Sequence, residues 1–293
     1  MRARLRVPMS VAAALLLGVI QGLTEFVPVS STAHLYIAQA LLGIENDAIA
    51  LSFDVILHLG TAAALILALG GEIRDVVEEL FLVLARRPAR SPAARAMILP
   101  LIIGTVPGVL AGLFLLKKFE SVRTLGLIGC SMLVACVYFL LAEWLGSRRV
   151  RERNLSELTL GDALWIGVAQ AAAGLLAGFS RSGFTISTGR ARGLSRGDAA
   201  RFSFLLALPI ILGAGAKALL DLRKAPQPVV SPAALGVGFL ASAAVGYLAV
   251  RFLLRFLKTH TLRPFAVYLG ALGLLLLAVT YARHLPLLGA LGG

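Results

Sequence analysis

Charged side chains are scarce in this chain of 293 residues. Asp, Glu, Lys and Arg together make up 15%, against roughly a quarter in an ordinary soluble domain. With 58% hydrophobic residues and a mean hydropathy of +0.88, a water-soluble globule is excluded. Cysteine is nearly absent as well. Cys130 and Cys136 lie six apart in one apolar run, with no Cys-x-x-Cys pattern and no nearby His, which excludes a zinc site and a disulfide framework and leaves two packing residues. The net charge of +13 does not point to nucleic acid, because Lys and Arg cluster in short connections between apolar runs, where charge sets membrane orientation. The expectation is an all-α, polytopic integral membrane protein. Arg2, Arg4 and Arg6 precede the first apolar run as in a signal peptide, but the run flows into a polar motif rather than a small-residue cleavage site, so it is read as retained.

Six runs are long enough for a hydrocarbon core, which takes about 20 apolar residues: Ile49 to Gly70, Ala96 to Leu116, Thr124 to Leu145, Asp198 to Leu220, Ala233 to Val250 and Phe265 to Ala282. Two regions fall short. Met9 to Ile20 and Leu164 to Leu176 each meet a Gly/Ser/Thr motif, and shorter segments follow at Leu35 to Gly43 and around Ile186 to Leu194. Half-helix, polar loop, half-helix is the pattern of a re-entrant hairpin, whose irregular backbone must be shielded by protein or line a cavity. A shift of 149 residues lays Gly18-Val-Ile-Gln21 on Gly167-Val-Ala-Gln170, Ser31 on Ser180, and Phe53 on Phe202. The pattern predicts a single membrane domain, 1–293, made of two repeats, 1–145 and 146–293, each with one hairpin and three full crossings. Three is odd, so the repeats are inverted and the hairpin tips meet near the midplane. The basic stretches 72–95, 146–160, 190–201 and 251–263 fall on one side, expected to be cytoplasmic, while Arg2, Arg4, Arg6, Lys117, Lys118 and Arg123 fall on the other and dissent. Both termini and the mouth of the first hairpin are then extracytoplasmic.

The two interruptions read Gln21-Gly-Leu-Thr-Glu-Phe-Val-Pro-Val-Ser-Ser-Thr-Ala-His34 and Gly178-Phe-Ser-Arg-Ser-Gly-Phe-Thr185. Polar groups at membrane depth are expensive and mark function. In the second motif, Ser180, Ser182 and Gly183 allow backbone N–H groups to converge at a helix N-terminus as an anion nest. Arg181 adds a planar fork suited to phosphate, and Ser180, Ser182 and Thr185 add hydroxyls. Arg190, Arg192, Arg196 and Arg201 are assigned to the cytoplasmic charge. The first motif carries the reactive groups. Glu25 can hold a divalent cation or act as a general base. Ser30, Ser31 and Thr32 supply hydroxyls, and His34, one helical turn from Ser31, can accept a proton from a serine or a water. Asp54 and His58, one turn apart, either extend the site or bond each other. Gln21 and Gln170, the repeated amides, are expected to satisfy unwound backbone, with Gln21 also a contact of the substrate.

Gly22-Leu-Thr-Glu-Phe-Val-Pro-Val-Ser-Ser-Thr-Ala-His34, Gly178-Phe-Ser-Arg-Ser-Gly-Phe-Thr-Ile186 and Gly193-Leu-Ser-Arg-Gly-Asp-Ala-Ala-Arg-Phe-Ser-Phe-Leu-Leu206 together resemble the undecaprenyl-diphosphate phosphatase family of the bacitracin-resistance type, across nearly the whole chain. The resemblance implies dephosphorylation of the C55 isoprenoid diphosphate to the monophosphate carrier, serving peptidoglycan synthesis, in the bacterial inner membrane with the chemistry facing the periplasm or cell exterior. It implies Glu25 as catalytic glutamate, Ser31 as motif serine, His34 as histidine and Arg181 as phosphate-binding arginine. It also implies a divalent cation, magnesium or calcium. The partners expected are the polyprenyl diphosphate, membrane lipids and, optionally, a second copy in a homo-oligomer, with no nucleic acid. The chain departs from the family where some members place a second Glu and it has Gln21, where Ala177 replaces a frequent proline, and at Arg190 and Arg192, commonly apolar positions.

Two rivals remain at this level. The acid-phosphatase-like lipid phosphatases need a His five residues beyond their Ser-Arg pair, where this chain has Ser187, and are set aside. Inverted repeats with broken helices are also transporter architecture, so a carrier or flippase of an anionic polyprenyl phospholipid is the alternative, with Arg181 on the phosphate and Glu25 coupling to an ion.

Overall fold

A computed structural model describes residues 9–44, 48–115, 124–224 and 230–284. The dissenting basic residues Arg2, Arg4, Arg6, Lys117, Lys118 and Arg123 lie outside the described residues. Among the described residues eleven α-helices follow in order: α1 (Val11–Phe26), α2 (Ser31–Leu41), α3 (Ala48–Ala68), α4 (Gly70–Leu84), α5 (Pro92–Phe114), α6 (Leu125–Ser147), α7 (Leu160–Leu175), α8 (Arg181–Ala191), α9 (Arg196–Lys224), α10 (Pro232–Phe256) and α11 (Arg263–His284). Their starts are written in the sequence. Side chains of Ser10, Ser91, Thr124, Thr159, Ser180 and Ser231 each accept from a backbone N–H three residues on, and Pro92 and Pro232 occupy first-turn positions where no N–H is needed.

Among the described residues five helices are long and apolar enough to cross a membrane, Pro92–Phe114, Leu125–Ser147, Arg196–Lys217, Pro232–Phe256 and Arg263–Ala282, and a sixth span results if the bent pair α3 and α4 is taken as one. Leu113, Phe114, Val137, Leu240, Val267 and Leu274 point outward from them, as lipid-facing side chains do. The expected crossing at 49–70 differs. Helix α3 stops at Leu69, whose backbone leaves the helical region before Gly70 and Gly71, and α4 continues at 87° to it. The stretch 72–95, read from sequence as a basic connection, thus contains a helix: Ile73, Val76, Val77 and Leu80 recur at helical spacing between Arg74, Asp75 and Glu78.

The short apolar helices α1 and α7 pack on long ones by close backbone approach. A methyl group on Gly18 would lie 2.6 Å from the Gly238 carbonyl oxygen of α10, and one on Gly22 2.7 Å from that of Ser242. A methyl group on Gly167 of α7 would meet the Gly104 backbone of α5. So α1 sits on α10 and α7 sits on α5. Helices α3 and α9 pack on each other and on α10 and α5 respectively, and α6 packs on α11. Where the two broken regions face α9, the core is filled by Phe26, Ile186, Phe202, Phe204 and Leu206, with Phe26 edge-on to Phe204 at 5.3 Å. Of the two cysteines expected to pack, Cys136 does so against Gly270 and Cys130 is exposed. Both are free thiols.

A second polar layer lies at the far end of α8. Glu143 of α6 is buried and accepts from the Arg196 guanidinium at 2.8 and 2.7 Å and from the Leu262 N–H at 2.7 Å. Buried Arg190 pairs with Glu152 at 2.8 Å, Arg192 with Asp162 at 2.7 Å, and Arg201 with Glu72 at 3.3 Å. These arginines, read from the sequence as cytoplasmic charge, are paired with acids remote in sequence and tie α4, α6, α7, α8, α9 and the 148–159 connection together. Within that connection the Arg151 guanidinium and the Asn154 N–H hold the Glu157 carboxyl below its ordinary range.

Gly167→Ala is expected to force α5 and α7 apart and lower stability by about 1–3 kcal/mol, the usual cost of overpacking. Thermal unfolding in detergent checks this, with Gly174→Ala, which adds its methyl to open space, as the neutral control.

Candidate active site

Helix α1 carries Gln21 and Glu25 one turn apart, and therefore on one face, at its C-terminal end. The chain then leaves the helix at Val27 and turns tightly through Pro28 and Val29, whose N–H donates to the Val27 carbonyl at 2.8 Å, to reach Ser30, which adopts φ 71°, ψ 88°. A non-glycine residue in the left-handed region costs about 1–3 kcal/mol and persists where its surroundings impose it. Here it aims Ser31, the first residue of α2, back at α1. The Ser31 hydroxyl donates to Glu25 Oε2 at 2.6 Å.

Glu25 collects groups from four elements. Arg181, first residue of α8 and 156 positions away, donates from Nη2 to Oε1 at 2.7 Å. Gln21 Nε2 donates to Oε2 at 3.0 Å, and His58 Nε2 of α3 stands 3.4 Å from the same oxygen. The carboxylate side chain is only 4% exposed, against 19% for Arg181, so the guanidinium forms the open side of the pair. Its Nε and Nη1 make no protein hydrogen bond among the described residues. The two broken regions therefore meet through one ion pair.

Around Arg181, Ser180 caps α8 by accepting from the Gly183 N–H at 3.2 Å and lies 3.3 Å from the Ser182 hydroxyl. The N–H groups of Arg181 and Ser182, in the first turn where no intrahelical acceptor exists, have no protein acceptor among the described residues. They are the available part of the expected anion nest. Gly183 meets the Phe139 ring so closely that no side chain fits there. Thr185 turns away: its hydroxyl bonds the Arg181 and Ser182 carbonyls at 2.9 and 3.0 Å and the Ser203 hydroxyl. Ser30 and Thr32 stand 3.4 Å apart beside Ser31.

The two histidines take different partners. His34 Nδ1 lies 2.8 Å from the Ser30 carbonyl and Nε2 2.6 Å from the Tyr268 hydroxyl, with the two rings stacked. A carbonyl only accepts, so Nδ1 carries hydrogen and the neutral ring's Nε2 accepts from Tyr268. Both nitrogens are committed, neither to Ser31 nor to Glu25. His58 is the imidazole on the carboxylate, with Nδ1 donating to the Asp54 carbonyl at 2.7 Å. Of the two readings of Asp54 and His58 both hold: His58 reaches the site, and it is bonded to Asp54 through the backbone carbonyl, while the Asp54 carboxylate accepts from Gln39 at 2.7 Å. Nor do the repeated amides satisfy backbone. Gln21 braces Glu25 and keeps a buried Oε1 without a partner, while both polar atoms of buried Gln170 lack one.

No three His, Cys, Asp or Glu side chains converge in metal-holding fashion among the described residues. Glu25 with the partnerless Gln21 Oε1 on the amide beside it nevertheless fits a hard cation, which takes carboxylate and amide oxygens and completes its shell with water and phosphate.

Residues 14–275 match the family model described as bacitracin resistance protein BacA. The chain belongs to this family. An undecaprenyl-diphosphatase of Rubrobacter xylanophilus is 40% identical over 267 residues, covering 91% of this chain and 97% of that protein. One from Myxococcus xanthus is 41% identical over 275 residues, covering 92% and 89%, and one from Chlorobaculum tepidum 37% over 287 residues, covering 94% and 99%. Membership in the BacA family thus spans both broken regions and every residue around Glu25.

Ser30 separates strain from chemistry. Ser30→Gly is expected to unfold at or above the wild-type temperature, because glycine adopts φ 71° without penalty, whereas Ser30→Val loses about 1–2 kcal/mol. Thermal unfolding in detergent distinguishes them.

Proposed function

We propose that the chain hydrolyses undecaprenyl diphosphate to undecaprenyl phosphate and inorganic phosphate, recycling the lipid carrier for peptidoglycan synthesis and conferring bacitracin resistance. The observation that carries this reading is the Ser31 hydroxyl donating to a carboxylate whose other oxygen holds Arg181. A nucleophile, its base and a phosphate-binding fork then stand on one buried group, under relatives named undecaprenyl-diphosphatase that align over most of their length.

In this mechanism the terminal phosphate lies against Arg181 and the N–H groups of Arg181 and Ser182, with Ser180 and Ser182 hydroxyls beside it. Positioning and charge stabilisation dominate phosphoryl transfer. Ser31 Oγ attacks the terminal phosphorus as its proton passes to Glu25 Oε2, and the anhydride P–O bond breaks to release undecaprenyl phosphate. Water then cleaves the phosphoserine, Glu25 returning the proton to Ser31 as inorganic phosphate leaves. Thr32 and Ser30 border the leaving side. His34, locked between the Ser30 carbonyl and Tyr268, holds the strained backbone that aims Ser31. A divalent cation held by Glu25 and Gln21 neutralises charge on the phosphoryl oxygens when bound.

The architecture proposed with it is two inverted repeats, 1–145 and 146–293, in the bacterial cytoplasmic membrane. Helices α1–α2 and α7–α8 form re-entrant hairpins, and α3, α5, α6, α9, α10 and α11 cross. The support is the matched packing of α1 on α10 and α7 on α5, at Gly18 and Gly167, the two glycines that the 149-residue shift superposes. The basic connections then face the cytoplasm and the head-group site faces the periplasm or cell exterior. The isoprenoid tail runs along the outward apolar faces of the crossing helices. A homo-oligomer is compatible with this arrangement and not required by it, since Glu25, Ser31 and Arg181 come from one chain.

Purified protein is expected to release phosphate from undecaprenyl diphosphate. Glu25→Gln and Arg181→Ala should each reduce release by at least about a hundred-fold, the scale of losing a charge-stabilising group. Acid-quenched single turnovers should trap phosphate on Ser31. Absence of release by the wild type across divalent cations would favour transport of the lipid instead.

A further inference from the structure

His58 is given no role in the reaction as written, yet it faces the base. Its Nδ1 hydrogen is fixed by the Asp54 carbonyl at 2.7 Å, which leaves the neutral ring with a lone pair on Nε2. Nε2 faces Glu25 Oε2 across 3.4 Å, an ion pair while the ring carries its second proton and two acceptors turned toward one point once a cation has displaced that proton. The gap exceeds the 2.7–2.9 Å of a charge-assisted hydrogen bond. It is closer to the roughly 3 Å that separates neighbouring ligands of one octahedral ion at about 2.1 Å.

Gln21 supplies an independent observation. A carboxylate oxygen has two lone-pair directions, and the Gln21 N–H and the Ser31 hydroxyl already fill those of Oε2. An ion arriving there must displace one donor. Turning the Gln21 amide end for end withdraws its N–H and offers Oε1, the atom now buried without a partner. One residue both vacates the position and ligates what takes it, while Ser31 keeps its bond to the base. His34 cannot stand in for His58, since its two nitrogens are held by Ser30 and Tyr268.

Resting on the diphosphatase reading, we infer that His58 Nε2 is a direct ligand of the divalent cation, together with Glu25 Oε2 and Gln21 Oε1. The remaining positions are open to water and to phosphate oxygens. An imidazole ligand shifts preference away from calcium, which takes oxygen ligands, toward an ion of the Mn²⁺ class that accepts nitrogen.

The test is pulsed electron paramagnetic resonance of Mn²⁺ added to the full-length protein in detergent, without substrate. Wild type is expected to show electron spin echo modulation from a coordinated ¹⁴N, replaced by the ¹⁵N pattern when histidine is isotopically labelled. His34→Gln should keep the modulation and His58→Gln should abolish it. Mn²⁺ affinity should fall at least about ten-fold in His58→Gln, while Ca²⁺ affinity changes by less than about two-fold. Bound Mn²⁺ without histidine modulation in the wild type, modulation that survives His58→Gln, or no Mn²⁺ binding would each overturn the assignment. The labelled wild type decides the histidine contact even where a variant does not fold. Phosphate release from undecaprenyl diphosphate, measured on the same preparation, reports on the diphosphatase reading alone: spectra of the expected form without any release would sink that reading and leave the ligand set standing.

Discussion

An ionised carboxylate withdrawn from water among apolar helices is costly by several kcal/mol unless other groups replace its hydration. Glu25 is placed in that position, and α1, α2, α3 and α8 each send a polar side chain to replace what water would supply. The arrangement explains why two regions far apart in sequence break their helices where they do. Neither Ser31 nor Arg181 could reach the carboxylate from the middle of a continuous crossing helix. Each does so from the first turn of a new one.

The same requirement shapes α8. Residues 182–190 are all buried although they include Ser182, Thr185, Ser187, Thr188 and Arg190. Ser203, Tyr138 and Glu152 take up Thr185, Thr188 and Arg190, while the Ser187 hydroxyl is buried without a partner among the described residues. Apolar side chains such as Phe202, Phe204 and Leu206 fill the space around this polar seam, and others point outward on α5, α10 and α11, where lipid is the solvent.

Much of this was legible in the sequence, and what was not has identifiable reasons. Half-length apolar runs ending in Thr-Glu or Ser-Arg motifs sufficed to bring Glu25, Ser31 and Arg181 to one place, because polar groups inside a membrane protein have few ways to be satisfied. The choice between His34 and His58 was not legible. Both lie on helices within reach of hydroxyl or carboxylate partners, and which imidazole meets Glu25 depends on how α3 crosses α1, which no spacing encodes. That Arg190 and Arg196 are paired was not legible, because counting basic residues says nothing of acids such as Glu143 and Glu152, which reach them from other elements. Helix α4 was hidden by its own charges: Arg74, Asp75 and Glu78 resemble a connection until Ile73, Val76, Val77 and Leu80 are set on a helical wheel. Gln21 was noticed as a repeat, but its bond to Glu25 follows only from its place one turn before it.

The elbow between α3 and α4 has a mechanical consequence. Helix α4 leaves α3 at 87°, and its buried Glu79 takes the N–H groups of Arg90 and Ser91 and the Arg95 guanidinium, which fastens the corner to the start of α5. His58 rides on the same α3, so a shift of that corner is carried along the helix to the imidazole and to the carboxylate it faces.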